Sequence, residues 1–371
     1  MDYNLEIQRL LLKRDNAPLP IDRIAVLKQA INLADIHNDL QWGYDLRIDL
    51  IDEESNTTRS IDSFPAFAWI IDAYDSDPDL FNVDYLLGKY RWMIGESYRN
   101  LSISIAQLQQ MLIDFKLRLK SNGYSLRTYY TAKADLGFFL NNDDMISENI
   151  ELRDDEEVNQ TFDYWLSELY ADIEFALRKN KFEQARQLER KITVDSLEYA
   201  HYPLAIYASF TRYLTRIGDS KKAGEYLYKA EECLSKIEND QSTITSIGKL
   251  MQYLLMYDKK RAWQYFEQYV NWTIDCDDCT AVFFALDVLP LLRYEKEVKI
   301  LQVNSQLPWY RLDNTYNPAD LYKYYYELAL NLSKRFDERN GNNVFMGRFK
   351  QSQNIQSKWG LMSVLKKIFR K

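Results

Sequence analysis

The sequence predicts an all-α protein built from stacked helical hairpins, and three observations support this. Apolar residues make up 46% and charged residues 27% of the 371 positions, with only 11 Gly and 8 Pro. This composition is typical of long helices joined by short turns. Apolar residues recur at helical spacing through most of the chain. In the second half, a small residue also recurs at a near-constant period, as expected of a repeat protein.

Residues 201–234 contain the clearest hairpin. Two amphipathic segments are joined by a short turn, in which Gly218 allows the backbone to leave the first helix in a left-handed conformation. In the second segment Ala223, Leu227 and Ala230 share one helical face. Small residues on that face let two helices approach closely. A single hairpin leaves an apolar side uncovered, so we expect further hairpins to stack on it.

The N-terminal residues 1–142 are predicted to form a lobe of helical hairpins. Residues 22–53 contain two helices around a polar turn at His37. Residues 63–78 then place small, large and small side chains on one face and end at Pro78, which cannot continue the helix. Three further helices are predicted at 80–98, 103–120 and 125–140.

Residues 143–157 contain eight acidic residues and one Arg. Runs of like charge are usually solvated, so we interpret this segment as an acidic linker or loop between two lobes. The alternative is an acidic surface that recruits a basic partner.

Residues 158–341 are predicted to form a lobe of repeats. Ala185, Ala223 and Ala262 occupy corresponding places in second helices, at separations of 38 and 39 residues. A large residue follows each of them: Leu188, Leu227 and Phe266. Two more helices complete the lobe, at 279–293 and between Asn317 and Gly341.

The small, large and small order after a Gly-Asp turn resembles the second helix of a tetratricopeptide repeat (TPR). The period exceeds the usual 34 residues, and Thr211 replaces an expected small residue, so the match is to divergent, TPR-like repeats. Together with the phrases LADIHNDLQWGYDLRIDLI, FPAFAWII and FDERNG, the chain resembles a family of bacterial TPR-like helical-repeat proteins without assigned activity. The resemblance implies a TPR-like α-solenoid that binds a protein or peptide in its groove.

Three arginines are candidate groove residues. Arg178 and Arg216 occupy equivalent places near the ends of first helices, and Arg212 lies one turn before Arg216. Facing one groove, they would bind a carboxylate or phosphate through their guanidinium forks. The alternative is that Arg near a helix C-terminus only complements the helix dipole.

No catalytic residue, cofactor or metal site is predicted. Cys276 and Cys279 form a CxxC pair without further paired ligands, and the neighbouring Asp residues oppose a thiolate, so we expect inert thiols. His37 and His201 lack a nucleophile motif. Gly-rich phosphate loops and zinc-hydrolase motifs do not occur in the sequence.

The C-terminal residues 342–371 contain seven Lys or Arg and no acid. Their last part, KWGLMSVLKKIFRK, predicts a basic amphipathic helix. It would cap the solenoid, make weak contact with an anionic membrane or bind an acidic partner. The net charge of −8 for the whole chain argues against general nucleic-acid binding.

We therefore predict a protein- or peptide-binding scaffold that is not an enzyme. The first residues lack the apolar run of a signal peptide, and three Cys fit free thiols, so a cytoplasmic location is expected. One alternative is a peptide-pheromone-sensing regulatory protein, although residues 1–60 show no helix-turn-helix. Another is an enzyme whose site is assembled from scattered residues. The sequence specifies neither the partner nor the oligomeric state.

Overall fold

The computed structural model describes residues 2–55, 57, 60–158, 165–193, 200–237 and 241–354. Within these ranges helices dominate, and the strands are two segments of two residues each, so the all-α fold of packed helices is confirmed. No helix in this part of the chain has the length and apolar character needed to cross a bilayer. The chain divides into two compact units, Met1–Asp163 and Tyr164–Lys371.

The first unit consists of α-helices, with a 3-10 turn at Pro78–Leu80. Its helices are α1 (Tyr3–Asp15), α2 (Pro20–Ile36), α3 (Leu40–Ser55), α4 (Ser63–Ser76), α5 (Val83–Arg99), α6 (Ile105–Ser121), α7 (Arg127–Leu140) and α8 (Asp143–Asp154). Helices that follow one another in the chain pack side by side, and α5 also contacts α7. The predicted hairpin of residues 22–53 corresponds to α2 and α3. Leu27 on α2 and Ile70 on α4 are fully buried, as the helical spacing of the apolar residues predicts, whereas Tyr85 on α5 is exposed.

The acidic segment 143–157 is a helix over most of its length and not the predicted loop. Asn142 caps α8 by accepting a hydrogen bond from the backbone of Met145. Two acids then occupy the first turn, where the helix dipole favours negative charge. Ile146 is fully buried against α7, and a Cβ on Gly137 would come within 2.9 Å of it. The acidic segment is therefore mostly an amphipathic helix that belongs to the first unit.

In its described residues, the second unit contains four helical hairpins and a small antiparallel ribbon. Its hairpins are α9 (Trp165–Arg178) with α10 (Phe182–Glu189), α11 (His201–Ile217) with α12 (Ser220–Leu234), α13 (Ile244–Tyr257) with α14 (Lys259–Tyr269), and α15 (Asp278–Arg293) with α16 (Pro318–Asn340). Strands β1 (Lys299–Ile300) and β2 (Thr315–Tyr316) lie between α15 and α16. We call α9, α11, α13 and α15 the first helices and the others the second helices. The first helices pack side by side in that order.

The repeated small residues occupy equivalent places in the second helices. Ala185, Ala223 and Ala262 are all fully buried on α10, α12 and α14. Gly218 ends α11 with a φ of 78°, the left-handed conformation expected at this turn. The periodic packing predicted from the sequence is thus present in the second unit.

A repeated polar contact joins successive second helices. The Tyr226 hydroxyl on α12 donates a hydrogen bond to Glu189 on α10. One repeat later, the Tyr265 hydroxyl on α14 donates to Glu231 on α12, which also pairs with Arg261. Each bond involves an ionised acceptor and is therefore stronger than a neutral one. These contacts set the register of one hairpin on the next.

After α16, the chain turns at Gly341 and is helical again over residues 344–354. Asp337 on α16 accepts hydrogen bonds from the backbone of Phe345 and of Met346, each at 2.8 Å. Phe345 is fully buried and stacks on Phe336, with 4.6 Å between the ring centroids. The start of the basic tail is thereby anchored on the second unit. The predicted amphipathic helix lies in residues 355–371, outside the described residues, so its role stays a prediction.

Candidate functional site

The first helices bring distant charged side chains together in the second unit. We define the charged cluster as Glu174 on α9, Arg212 and Arg216 on α11, Lys249 on α13, Asp287 on α15 and Arg348 in the segment 344–354. Direct ion pairs and electrostatic effects on the pKa values connect these residues. Four of them, Glu174, Arg212, Lys249 and Asp287, are separated by 38, 37 and 38 residues. That spacing is close to the repeat period, so these four occupy equivalent positions on successive first helices and form a charge ladder.

Glu174 forms ion pairs with both cations of the charge ladder. Its carboxylate lies 2.5 Å from Arg212 Nη2 and 3.3 Å from Lys249 Nζ. The Lys249 ammonium also donates hydrogen bonds to Ser209 Oγ at 2.8 Å and to the Tyr170 hydroxyl at 3.1 Å. Lys249 is only 9% exposed, and these partners replace the hydrogen bonds to water that its ammonium group loses on burial. The network fixes three first helices relative to one another.

The environment of Glu174 favours its ionised form. Burial is the largest influence and by itself would raise its pKa. The positive charges of Lys249 and Arg212, with hydrogen bonds from Ser209 and Lys249, outweigh burial and bring the pKa of Glu174 well below its usual value. Glu174 is therefore an ionised counterion for its two cations at neutral pH.

Asp287 lies directly against the backbone of α13. Gln252 Nε2 donates a hydrogen bond to Asp287 Oδ1 at 2.9 Å. A Cβ on Gly248 would come within 2.0 Å of Asp287 Oδ2, so this position on α13 requires Gly. Burial raises the pKa of Asp287, although the Gln252 hydrogen bond and three nearby cations oppose the shift. Asp287 is therefore less firmly ionised than Glu174.

Arg216 is the most accessible cation of the cluster. Its side chain is exposed, and it has no hydrogen-bond or ion-pair partner among the described residues. The positive charge of Arg212, followed by burial, lowers the pKa of Arg216 to about 10. The carboxylates of Glu174 and Asp287 act in the opposite direction and only partly offset this shift. Arg216 is thus a solvent-accessible guanidinium without a direct ion-pair partner among the described residues.

Arg348 is the cation that the segment 344–354 adds to the cluster. Its guanidinium carbon lies 5.1 Å from the ring centroid of Phe283 and 5.2 Å from that of Phe345. Burial lowers the pKa of Arg348 to about 10, and repulsion from Arg212 and Arg178 adds to the effect. Phe283 lies one helical turn before Asp287 on α15, so Arg348 packs beside the last position of the charge ladder.

The three arginines predicted from the sequence belong to this region, although their environments differ. Arg178 is the last residue of α9 and is half-buried. Arg216 is exposed, as expected for a groove residue. Arg212 is not the exposed side chain that we expected, since it is only 26% exposed and is paired with Glu174. Sequence reasoning missed Glu174, Lys249, Asp287 and Arg348. The near-constant spacing of the ladder was the available signal for the first three.

The other candidate residues lie elsewhere. Cys276 and Cys279 are not in a disulfide, and Cys279 is buried at the start of α15. His37 follows α2 in the first unit and stacks on Tyr3, with 4.1 Å between the ring centroids. His201 is the first residue of α11 and is exposed. In the described ranges, no group of three or more His, Cys, Asp and Glu is arranged to hold a metal ion.

No protein-family model, curated protein or solved structure matches the chain. Function must therefore be argued from the chemistry of the site. Guanidinium groups bind carboxylates and phosphates, and the charged cluster contains three of them.

Proposed function

We propose that this chain is a TPR-like scaffold protein that binds an anionic segment of a partner protein or peptide in the cleft of its second unit, without catalysis. The cleft is the groove that a TPR-like fold forms along its first helices, the helices that carry most of the charged cluster. The observation that supports this proposal most strongly is the exposed and unpaired guanidinium of Arg216. A cation repelled by its neighbour and open to solvent gains stability when an anion binds beside it.

The balance of charge in the cluster also supports anion binding. Its four cations face two carboxylates, so positive charge exceeds negative charge by two when both acids are ionised. Glu174 already neutralises part of the charge of Arg212 and Lys249, which leaves Arg216 and Arg348 for a ligand. The contacts of Arg348 with two Phe rings hold its guanidinium in place before a ligand arrives. Such preorganisation reduces the entropic cost of binding.

The cellular location and the class of partner are also part of the proposal, and both are inferred from the sequence. The resemblance to bacterial TPR-like proteins favours a cytoplasmic adaptor, and the net charge of −8 disfavours nucleic acid as its partner. A regulatory protein that senses a peptide pheromone would use the same cleft and differ only in the identity of its ligand. An enzyme with a scattered site is the remaining alternative.

Capture of binding partners from a cell lysate, followed by mass spectrometry, tests the proposal. The wild-type protein should retain a partner that elutes at high salt, because the contact is electrostatic. Arg216→Glu should reduce the captured amount at least tenfold. Arg190→Glu is the matched control, since Arg190 is an exposed arginine at the end of α10 without a partner among the described residues.

Two results would contradict the proposal. Equal capture by wild type and Arg216→Glu, at unchanged melting temperature, would place partner binding outside the cleft. Turnover of a co-purified metabolite that depends on the charged cluster would instead favour the enzyme alternative.

A further inference from the structure

The connection between α15 and α16 exposes several large apolar side chains to solvent. We call residues 294–317 the ribbon loop, because they contain β1 and β2, and the structure describes every residue of this loop. Its exposed large apolar residues are Tyr294, Val298, Ile300 and Leu312, with exposures of 47%, 57%, 74% and 91%. Single apolar residues are common on protein surfaces, whereas a group of them in one short loop indicates a contact surface.

The pairing of β1 with β2 directs two of these side chains away from the helices. Side chains alternate between two faces along an extended strand, so Val298 and Ile300 lie on the face opposite Lys299. Lys299 lies over α14, with its ammonium 5.2 Å from the ring centroid of Trp263. The antiparallel pairing with β2 keeps the strand in this orientation. Val298 and Ile300 therefore face solvent.

Leu312 lies at the tip of a tight turn that leads into β2. The backbone N–H of Asn314 donates a hydrogen bond to the carbonyl of Arg311 at 3.1 Å, which places Leu312 and Asp313 at the corners of the turn. Such corners are ordinarily occupied by Gly, Pro or short polar residues. A leucine that is 91% exposed adds almost nothing to the packing of the fold, so a contact outside the chain accounts for it better.

The acidic residues of the ribbon loop have cations beside them. Glu295 and Glu297 lie 3.1 Å and 3.5 Å from the ammonium of Lys299. Asp313 lies 3.4 Å from the guanidinium of Arg311. These pairs reduce the repulsion that the loop would exert on a negatively charged partner.

The chain reaches the ribbon loop again just before the tail, which we define as residues 355–371. The Arg293 guanidinium at the end of α15 donates a hydrogen bond to the backbone carbonyl of Gln353. The Tyr322 hydroxyl on α16 donates one to Gln353 Oε1 at 2.7 Å. The guanidinium carbon of Arg293 also lies 5.4 Å from the ring centroid of Tyr294. The tail therefore begins beside an exposed side chain of the ribbon loop.

The last hairpin does not require the tail as a cap. Phe345, in the segment 344–354, is fully buried and lies 5.8 Å from Phe283 on α15, measured between ring centroids. Phe349 is 5% exposed and lies 5.1 Å from Tyr326 on α16 by the same measure. Helix α16 is described over its whole length, and no large apolar side chain on it is exposed. The cover that the end of a solenoid needs is thus already present.

We infer that the ribbon loop and the tail together form a docking surface for an anionic lipid bilayer. The tail contains five Lys or Arg and no acid, which suits anionic head groups, and its Trp359 suits the membrane interface. Ile300 and Leu312 would enter the boundary between head groups and acyl chains. An acidic protein would match the charge of the tail, but its solvated carboxylates would leave these two side chains exposed.

This docking goes beyond the proposed binding of an anionic partner and does not depend on it. Stable attachment at a membrane surface needs two signals, and here they are an apolar contact and a basic segment. The net charge of −8 does not prevent it, because salt screens charges that are more than about 10 Å from the lipid.

Sedimentation of the full-length protein with sucrose-loaded vesicles tests the inference. Vesicles made of equal parts of phosphatidylserine and phosphatidylcholine are compared with vesicles of phosphatidylcholine alone. We expect binding to the anionic vesicles to be at least about tenfold tighter, since each basic residue near an anionic surface contributes roughly fivefold. High salt should weaken this binding.

A paired substitution tests the apolar contact. Ile300→Ser combined with Leu312→Ser removes no charge, and it should weaken binding to the anionic vesicles about tenfold without changing the melting temperature. The matched control is Ile113→Ser combined with Leu117→Ser on α6, where the two side chains are 58% and 60% exposed. The control should sediment as the wild type does.

A second pair tests the basic segment. Lys366→Gln combined with Lys367→Gln should weaken binding to the anionic vesicles about twentyfold. The control is Lys13→Gln combined with Lys120→Gln, at exposed positions on α1 and α6, which changes the net charge by the same amount. This control should bind as tightly as the wild type.

Three results would overturn the inference. In the first, the wild type does not sediment with anionic vesicles, or it sediments equally with both kinds. In the second, the Ile300 and Leu312 variant binds as tightly as the wild type, so that the ribbon loop is not part of the surface. In the third, the protein ignores the vesicles but binds poly-L-glutamate through Lys366 and Lys367, which would make an acidic polypeptide the partner of the tail. None of these results bears on the charged cluster, since these residues lie outside it.

Discussion

Lys249 on α13 lies 3.3 Å from Glu174 on α9, although the two residues are 75 positions apart in the chain. Helix α11 packs against both of these helices and contributes Ser209 and Arg212 to the same network. One carboxylate thus contacts cations from two further repeats. The contact ties the geometry of the charged cluster to the packing of the first helices.

Replacing Lys249 by Met should destabilise the protein by about 3 kcal/mol, because loss of one partner from a buried ion pair leaves the other charge undercompensated. Chemical denaturation monitored by circular dichroism measures the free energy of unfolding. Lys260→Met, at an exposed position on α14, is the control and should change stability by less than about 0.5 kcal/mol. A loss as small as that of the control would show that Lys249 does not stabilise the network. The double variant Lys249→Met, Glu174→Leu should regain part of the loss, since no unpaired charge remains.

The stability contributed by Glu174 should depend on pH. Its pKa is lower in the folded protein than its ordinary value of 4.5, so this contribution is complete above pH 4.5 and is lost as the pH falls below it. The stability advantage of wild type over Glu174→Gln should therefore shrink from pH 5 to pH 3, by at most about 1.4 kcal/mol per pH unit. Denaturation curves across this range provide the measurement, with Glu225→Gln on the exposed face of α12 as the control. A difference that does not change with pH would mean that the pKa of Glu174 is not lowered.

Gly248→Ala should destabilise the protein, although Ala is the better helix former. The added Cβ would come within 2.0 Å of Asp287 Oδ2, so Asp287 must leave its place and its hydrogen bond to Gln252. Gly347→Ala is the matched control, because nothing lies within 4 Å of its added Cβ, and it should stabilise by about 0.5–1 kcal/mol. Thermal melting compares the two variants. A Gly248→Ala protein that melts above wild type would contradict the close contact with Asp287.

Asp337→Asn should loosen the segment 344–354. The carboxylate accepts two backbone hydrogen bonds at the start of this helix, and an amide offers only one accepting oxygen. We expect the free energy of unfolding to fall by about 1–2 kcal/mol. Amide hydrogen exchange should become faster in residues 344–354, while α11 stays protected. Glu338→Gln, at the exposed neighbouring position, serves as the control. Unchanged exchange in the segment would show that Asp337 does not anchor it.

Local signals predicted most of the helices because their causes lie within a few residues. Asn317 accepts a hydrogen bond from the Ala319 backbone at the start of α16, and Gly341 ends that helix with a φ of 64°. The prediction failed at residues 143–154, where the density of acidic residues concealed the buried face of α8. Charge density indicates solvent exposure on average, whereas a helix needs only one apolar face to pack.

The sequence by itself determined the all-α fold, the order of the hairpins in the second unit and the buried faces that Ala185, Ala223 and Ala262 mark, because helix periodicity and capping act over one or two turns. It also contained the regular spacing of the charge ladder. Only the tertiary structure decided that Glu174 meets both Arg212 and Lys249, that Arg216 is exposed, and that Arg348 packs against Phe283 on α15. Those contacts depend on how whole helices stack and on where the segment 344–354 packs after α16. Electrostatic interactions depend on the distance between charges in space and not on their separation in the sequence.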